Sequence, residues 1–282
     1  MDWNIQRSTE EVPVGAEWAA QRGFGIRTEW GRAGAAAIGE DAACLVVIDV
    51  LSFTTSVSVA TAAGTAVFPY RWRDDSARDF AESRDAALAV GRRAAGPGHP
   101  WSLSPAAIRR APFTERLVLP SPNGSAIAAT AAGTTTVVAA SLRNRRAVAD
   151  WLIAQGWGTP RHPIAIVPAG EHRPGDGRAD PGPGAQLHRP ALEDWLGAGA
   201  LAAALLDRGA TQPSPESLSA ASMFTAIPDV GALIADCASG RELATIGFAE
   251  DVVLATELDA DPTVPVLTDS AFVDRATRAV RP

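Results

Sequence analysis

Hydrophobic and polar positions fall in blocks along this chain, and the sharpest block is Cys44 to Ala60, CLVVIDVLSFTTSVSVA. Leu45, Val46, Val47, Ile48 and Val50 surround one acid, Asp49, and Ser52, Thr54, Thr55 and Ser56 follow directly behind it. A continuous β-branched run bounded by polar residues predicts a strand buried on both faces. The Ala/Val stretch beyond it predicts a helix. An acid at the carboxyl end of such a strand, ahead of a hydroxyl-rich helix start, stands where open α/β sheets bind ligands. The plainer alternative is that Asp49 only caps the turn.

The same reading gives the other elements. Phe24–Gly31 alternates as a short strand, and Ala33–Ile38 follows as a helix. Gly64 is a helix-ending glycine before a strand at Thr65–Pro69. Asp74–Arg93, with acids first and arginines last, predicts one helix aligned with its dipole. Residues 94–114 look like a Pro/Gly-rich connection, and a strand starts at Leu117. Arg145–Gln155 and Ala191–Arg208 predict helices, His162–Pro168 a buried strand, Gly209–Ser217 a linker, the stretch to Ile246 further helices, and Ala249–Leu267 a strand and its exit.

One pattern recurs. ATAAGT at Ala60–Thr65 returns at Ala129–Thr134, and the alignment sets Ser52 against Ser121, Thr55 against Gly124 and Ser56 against Ser125. Each copy reads strand, polar loop, small-residue helix, strand. Two right-handed β-loop-α-β units in one sheet would place both helix N-termini on one rim. The expected fold is therefore α/β, a three-layer α/β/α arrangement around a largely parallel or mixed sheet with an internal repeat. It forms a single domain over 1–282, divisible into lobes at about 1–160 and 161–282.

Composition narrows the chemistry. The 282 residues are 46% hydrophobic and 20% charged, with a net charge of −7. No apolar run nears the ~18 residues of a membrane span, and no basic stripe suggests nucleic acid. No basic flank precedes an apolar stretch at the N-terminus, so a cytoplasmic location is expected. Cys44 and Cys237 offer no disulfide framework and no metal spacing, and read as buried thiols. Every basic side chain is Arg: the chain has no lysine. That excludes Schiff-base chemistry, a P-loop lysine and lysine-clamped phosphatases. Asp49 is followed by Leu51 where a D-x-D phosphatase has its second Asp, and the thiolate loop with Arg six positions beyond Cys, the G-x-S-x-G elbow and GxGxxG after a strand are also missing.

What remains is an anion site. The segments Ser52–Ser56 and Ser121–Ser125, the latter with Asn123 and Gly124, supply N–H and O–H donors at helix N-termini. Asp49, Glu193 and Asp194 are the candidate hard ligands for a cation such as Mg²⁺, with Glu171 and Asp251 in reserve. Glu193 and Asp194 could equally be first-turn dipole compensation. His172 and His188 flank an aperiodic stretch that reads as a lid, a binding loop or a disordered segment.

As a set, these blocks resemble the 2-phosphosulfolactate phosphatase family. Asp49-Val50-Leu51-Ser52-Phe53-Thr54-Thr55 is similar to its DVLRATT segment, and Ser121-Pro122-Asn123-Gly124-Ser125 to its TTNGT loop. Asn144 to Ala149 resembles N-A-x-A-V-A, and Pro168-Ala169-Gly170 a strand ending P-A-G. Glu193 to Gly199 matches E-D-x-x-x-A-G, and Gly247 to Val252 matches G-F-x-E-D-V. The resemblance implies a Mg²⁺-dependent phosphoric monoester hydrolase of α/β/α build, converting 2-phospho-3-sulfolactate to sulfolactate and phosphate on the route to coenzyme M. It implies Asp49, Glu193 and Asp194 as the catalytic set and the metal ligands, with Asp49 either ligating the metal or attacking phosphorus directly. Phosphate would be bound by Ser52, Thr54, Thr55, Ser56, Asn123, Gly124, Ser125 and Asn144. Its partner would be a small anionic phosphate ester, and a homo-oligomer is left open. The chain departs from the family at Ser52, where the family has Arg, at Arg92, where it has a carboxylate, and at Leu103-Ser104-Pro105, where G-N-S-P is reduced. A weak anion- or metabolite-binding protein on this scaffold, or a phosphatase for another small ester, are the alternatives.

Overall fold

A computed structural model of the protein describes residues 18–71, 75–131, 133–172 and 188–276. Its elements in chain order begin with β1 (Ile26–Thr28), α1 (Gly31–Gly39), β2 (Cys44–Ile48), α2 (Phe53–Ala62) and β3 (Ala66–Tyr70). They continue with α3 (Ser76–Ser83), β4 (Ala87–Leu88), a 3-10 turn at Arg92–Ala94, α4 (Pro105–Arg110), β5 (Arg116–Pro120), α5 (Gly124–Ala131), β6 (Thr136–Ala140), α6 (Arg145–Ala154) and β7 (Ile164–Pro168). The short pair β8 (Glu171–His172) and β9 (His188–Arg189) precedes α7 (Leu192–Leu206). Helices α8 (Pro215–Ala226), α9 (Val230–Asp236), α10 (Ala238–Thr245) and α11 (Ala249–Ala255) then lead to the hairpin β10 (Pro265–Thr268) and β11 (Ala271–Asp274).

The β2 run is buried at every position because it has core on both sides. Val46 and Ile48 point to one cluster with Val148 and Leu152 of α6 and Leu196, Leu201 and Leu205 of α7. Leu45 and Val47 point to the other, with Ile38 of α1, Phe53 and Val57 of α2 and Ile127 of α5. Alternate side chains of a strand face opposite ways, so this division gives helices on both faces of one sheet. The expected α/β class with a mixed sheet is what the chain forms.

The strands pair in the order β1-β7-β2-β6-β10-β11-β3-β5-β4. β1, β7, β2 and β6 are mutually parallel, as are β3, β5 and β4, and the antiparallel β10–β11 hairpin joins the two blocks. Following these senses across the hairpin makes β2 antiparallel to β3. The repeated units are therefore not parallel βαβ units. They are exchanged: β2 of the first pairs with β6 of the second, and β3 of the first with β5 of the second. The carboxyl ends of β2 and β5 nonetheless come together. The two helices then meet directly, since the Gly124 N–H opening α5 donates to Asp49 Oδ2 at 3.1 Å. The glycine in each copy of AAGT has positive φ, +90° at Gly64 and +84° at Gly133, a conformation open to glycine at little cost.

Three expected elements differ. The long helix over Asp74–Arg93 is α3 alone, because Asp85 turns into the left-handed region at φ 47° and the chain leaves as β4. The connection at 94–114 contains α4, capped by the Ser104 hydroxyl, which accepts from the Ala107 N–H, with a proline opening its first turn. Val252 to Ala255 belongs to α11, not to a strand. Among the described residues no single helix is long and apolar enough to cross a membrane.

Candidate active site

The exits of β2, β5 and β7, the 3-10 turn and one face of α10 enclose a cavity of about 460 Å³. Asp49, Ser52, Arg92, Ser121, Asn123, Glu171, Arg189, Ser239 and Glu242 bring its polar groups, and Leu51, Leu103, Leu243 and Ile246 its apolar wall.

Asp49 sits where the N-termini of α2 and α5 converge. Its Oδ1 accepts the N–H groups of Ser52 at 2.9 Å and Phe53 at 3.0 Å, and Oδ2 that of Gly124. A carboxylate offers about four lone pairs, so Oδ2 keeps one for the cavity. Gly124 is required here by close approach: a Cβ would lie 2.3 Å from Phe53 Cδ1 and 2.9 Å from Asp49 Oδ2. Burial pushes the Asp49 carboxyl up, opposed by the three N–H groups and the Arg92 charge.

Of the hydroxyls behind Asp49, Ser52 reaches the cavity and Thr54, Thr55 and Ser56 do not. Thr54 Oγ1 accepts from the Asp49 N–H and donates to the Asp49 carbonyl, and Thr55 Oγ1 donates to the Val50 carbonyl. Both threonines bind the strand exit to the helix that follows it. Ser56 Oγ is buried with no partner among the described residues. Ser125 Oγ donates to the Leu119 carbonyl. Asn144 Oδ1 accepts from Ser141 N–H, and its Nδ2 reaches the carbonyls of Ala139 and Thr263. Of the expected phosphate-binding residues, only Ser52 and Asn123 line the cavity, and Gly124 reaches it through its bond to Asp49.

Glu193 and Asp194 open α7 and are buried, yet neither lines the cavity. Asp194 clamps two strand exits: Oδ1 accepts from Val50 N–H at 2.8 Å and Oδ2 from Gly170 N–H at 2.9 Å. Burial, then the charges of Asp49 and Glu193, push its carboxyl well above the usual range. Glu193 Oε2 accepts from the Cys237 thiol at 3.3 Å. Burial and that neighbour push the thiol up to about 11, so it stays protonated at neutral pH. Cys237 is only half-buried and caps α10, accepting from the Gly240 N–H; Cys44 is fully buried, as expected.

Glu171, held in reserve by the sequence reading, is on the cavity wall. Its Oε2 accepts from Asn123 Nδ2 at 3.0 Å, and burial together with the Asp49 charge pushes its carboxyl up to about 7. Arg92 is the other arrival. Its Nε donates to Asp251 Oδ2 at 3.0 Å and its Nη2 is buried with no partner among the described residues. Arg189 faces the same space while donating to Ser239 Oγ at 3.1 Å. Neither arginine nor the α10 face has a local motif, and only their clustering in loops and at element ends marks them. The loop read as a lid lies outside the described residues from 173 to 187, as do the side chains of His172 and His188.

The model of the family described as 2-phosphosulpholactate phosphatase matches residues 35–270. The chain belongs to that family. Its members are phosphatases, hydrolases of phosphoric monoesters, and the match spans every wall of the cavity from Asp49 to Ile246. No curated protein matches the chain. Of the three expected metal ligands, Asp49 lines the cavity, while Glu193 and Asp194 lie behind its wall. Among the described residues no group of three or more His, Cys, Asp or Glu is arranged to hold a metal ion, and both Asp194 oxygens are already engaged by backbone N–H groups.

Proposed function

We propose that the cavity binds and hydrolyses the phosphate ester of a small hydroxy acid, 2-phospho-3-sulfolactate being the first substrate to test, as a step toward coenzyme M. The observation that carries this reading is the Asp49 carboxylate, fixed by three backbone N–H groups at the meeting of two helix N-termini and open to the cavity. A group held that rigidly meets the reacting phosphorus, or a cation bound to it, without reorganising.

The donor set suits Mg²⁺. That ion is commonly held by one or two carboxylates plus substrate phosphate and water, not by a full protein cage. Asp49 and Glu171 would be the two carboxylates, and their mutual repulsion, one cause of the raised Glu171 value, is what a cation relieves. When bound, it would neutralise charge on the phosphoryl oxygens. The chain's own part is then plain. Asp49 fixes the reacting end, Ser52 and Ser121 flank it, Asn123 holds Glu171 in place, and Arg189 offers positive charge toward the far end of an anionic substrate. Asp194 and Glu193 act behind the wall, Asp194 by fixing the loops that carry Asp49 and Gly170.

The test is phosphate release from a panel of esters, phosphosulfolactate and phospholactate among them, with and without Mg²⁺. Release from the hydroxy-acid esters that depends on Mg²⁺ supports the reading. Thermal stabilisation by the esters with no release from any of them would make the protein a binder and overturn it.

A further inference from the structure

We infer that Arg92 is the cation that grips the phosphoryl oxygens beside Asp49, and that Asp251 is its positioning residue. The inference deepens the phosphate-ester reading of the same cavity and rests on it.

An arginine paired with a carboxylate commonly uses two parallel N–H groups. Arg92 uses Nε on Asp251 Oδ2, and its Nη2 is left buried with no partner among the described residues. Arg92 lines the cavity that Asp49 lines, and its charge is among those acting on the Asp49 carboxyl. A desolvated guanidinium N–H without an acceptor is poised for one, and the planar fork of Arg suits phosphate oxygens better than any other side chain.

The support for that fork is built from three elements. Asp251, in the first turn of α11, is almost fully buried. Its Oδ1 accepts from Ser104 Oγ and the Ala106 N–H, both at the start of α4, while Oδ2 serves Arg92. Phe248 lies under the guanidinium, 6.0 Å from its centre. The carboxylate therefore fixes the direction of the arginine as well as balancing its charge. A loop arginine without such support would lose side-chain freedom on every binding event.

Binding of inorganic phosphate, measured by calorimetry, separates this inference from turnover. Arg92→Gln should weaken phosphate binding roughly 10- to 100-fold, and Arg92→Lys should lose less, since it keeps the charge but not the fork. Asp251→Asn should weaken binding by less than Arg92→Gln, and should add little in the double variant; melting curves on each variant report any loss of fold separately. Unchanged phosphate affinity in Arg92→Gln overturns the inference even where ester hydrolysis falls. Affinity unchanged in Asp251→Asn, with only stability lowered, removes the positioning role. A wild-type protein that binds phosphate through Arg92 yet releases none from any ester would uphold the inference and sink the phosphatase reading alone.

Discussion

At the exit of β2 the chain places an acid, Asp49, and then a row of hydroxyls. At the exit of β5, the repeated counterpart, it places Ser121, Pro122 and Asn123, then a glycine. The first exit contributes the side chains of Asp49 and Ser52 to the cavity and turns the Thr54 and Thr55 hydroxyls back on its own backbone. The second contributes a backbone N–H, and it can do so only because Gly124 has no Cβ to strike Phe53. One layout has thus divided its labour: one copy carries the charge, and the other closes on that charge.

The comparison breaks most sharply at its acid. Asp49→Asn should cut phosphate release on the order of a thousandfold, while Ser125→Ala, in the other copy, should leave it within about twofold because that hydroxyl only meets the Leu119 carbonyl. Steady-state kinetics on both variants decides it, and equal losses would erase the division. Next comes Gly124→Ala. Its new Cβ must displace Phe53 or α5, so we expect a stability loss of about 1–3 kcal/mol together with reduced turnover, read by urea unfolding and the same kinetics.

Glu171 sharpens the picture, because both copies act on it, one by charge through Asp49 and one by a hydrogen bond from Asn123. Its folded-state value, about 7, lies above the ordinary 4.5. Between those values the folded protein holds a proton that the unfolded chain has lost, so stability falls as pH rises through that window and levels off above it. Glu171→Gln should remove this penalty, making the variant more stable than wild type at pH 8 by at most about 3 kcal/mol and no more stable near pH 4.5. Unfolding curves at the two pH values, recorded with a chelator, check it. The smallest effect belongs to Thr54→Val, which should cost about 1 kcal/mol of stability and leave turnover unchanged once the protein is folded.

The legible parts were those where a local pattern decides the outcome. β2 announced itself through a run that only two-sided burial explains, and Asp49 through its place at the end of that run. The helix-ending Gly64 was visible for the same reason. Pairing was not: the order strand-helix-strand is the same whether a unit closes on itself or exchanges strands, and only the hairpin between the blocks settles which. Ser104 and Pro105 did carry a helix start, hidden by the surrounding Gly and Pro. Glu193 and Asp194 show the opposite case. Adjacent acids at a helix start suggest ligands, but Asp194 accepts from two N–H groups whose positions are set by separate strands, and no spacing along the chain reveals that. Arg92 and Glu171 matter only through neighbours far away in sequence, Asp251 and Asn123.

The place of β10 and β11 bears on how the protein is made. Strands near the carboxyl end of the chain sit at the middle of the sheet, between β6 and β3. During synthesis the two parallel blocks therefore emerge from the ribosome before the piece that joins them, and β2 must wait for β6 and β7 before it has any neighbour. Such a topology folds late and slowly. A nascent chain stalled short of residue 265 would hold two sheet halves with open edges, each a surface for a chaperone or for a misplaced strand.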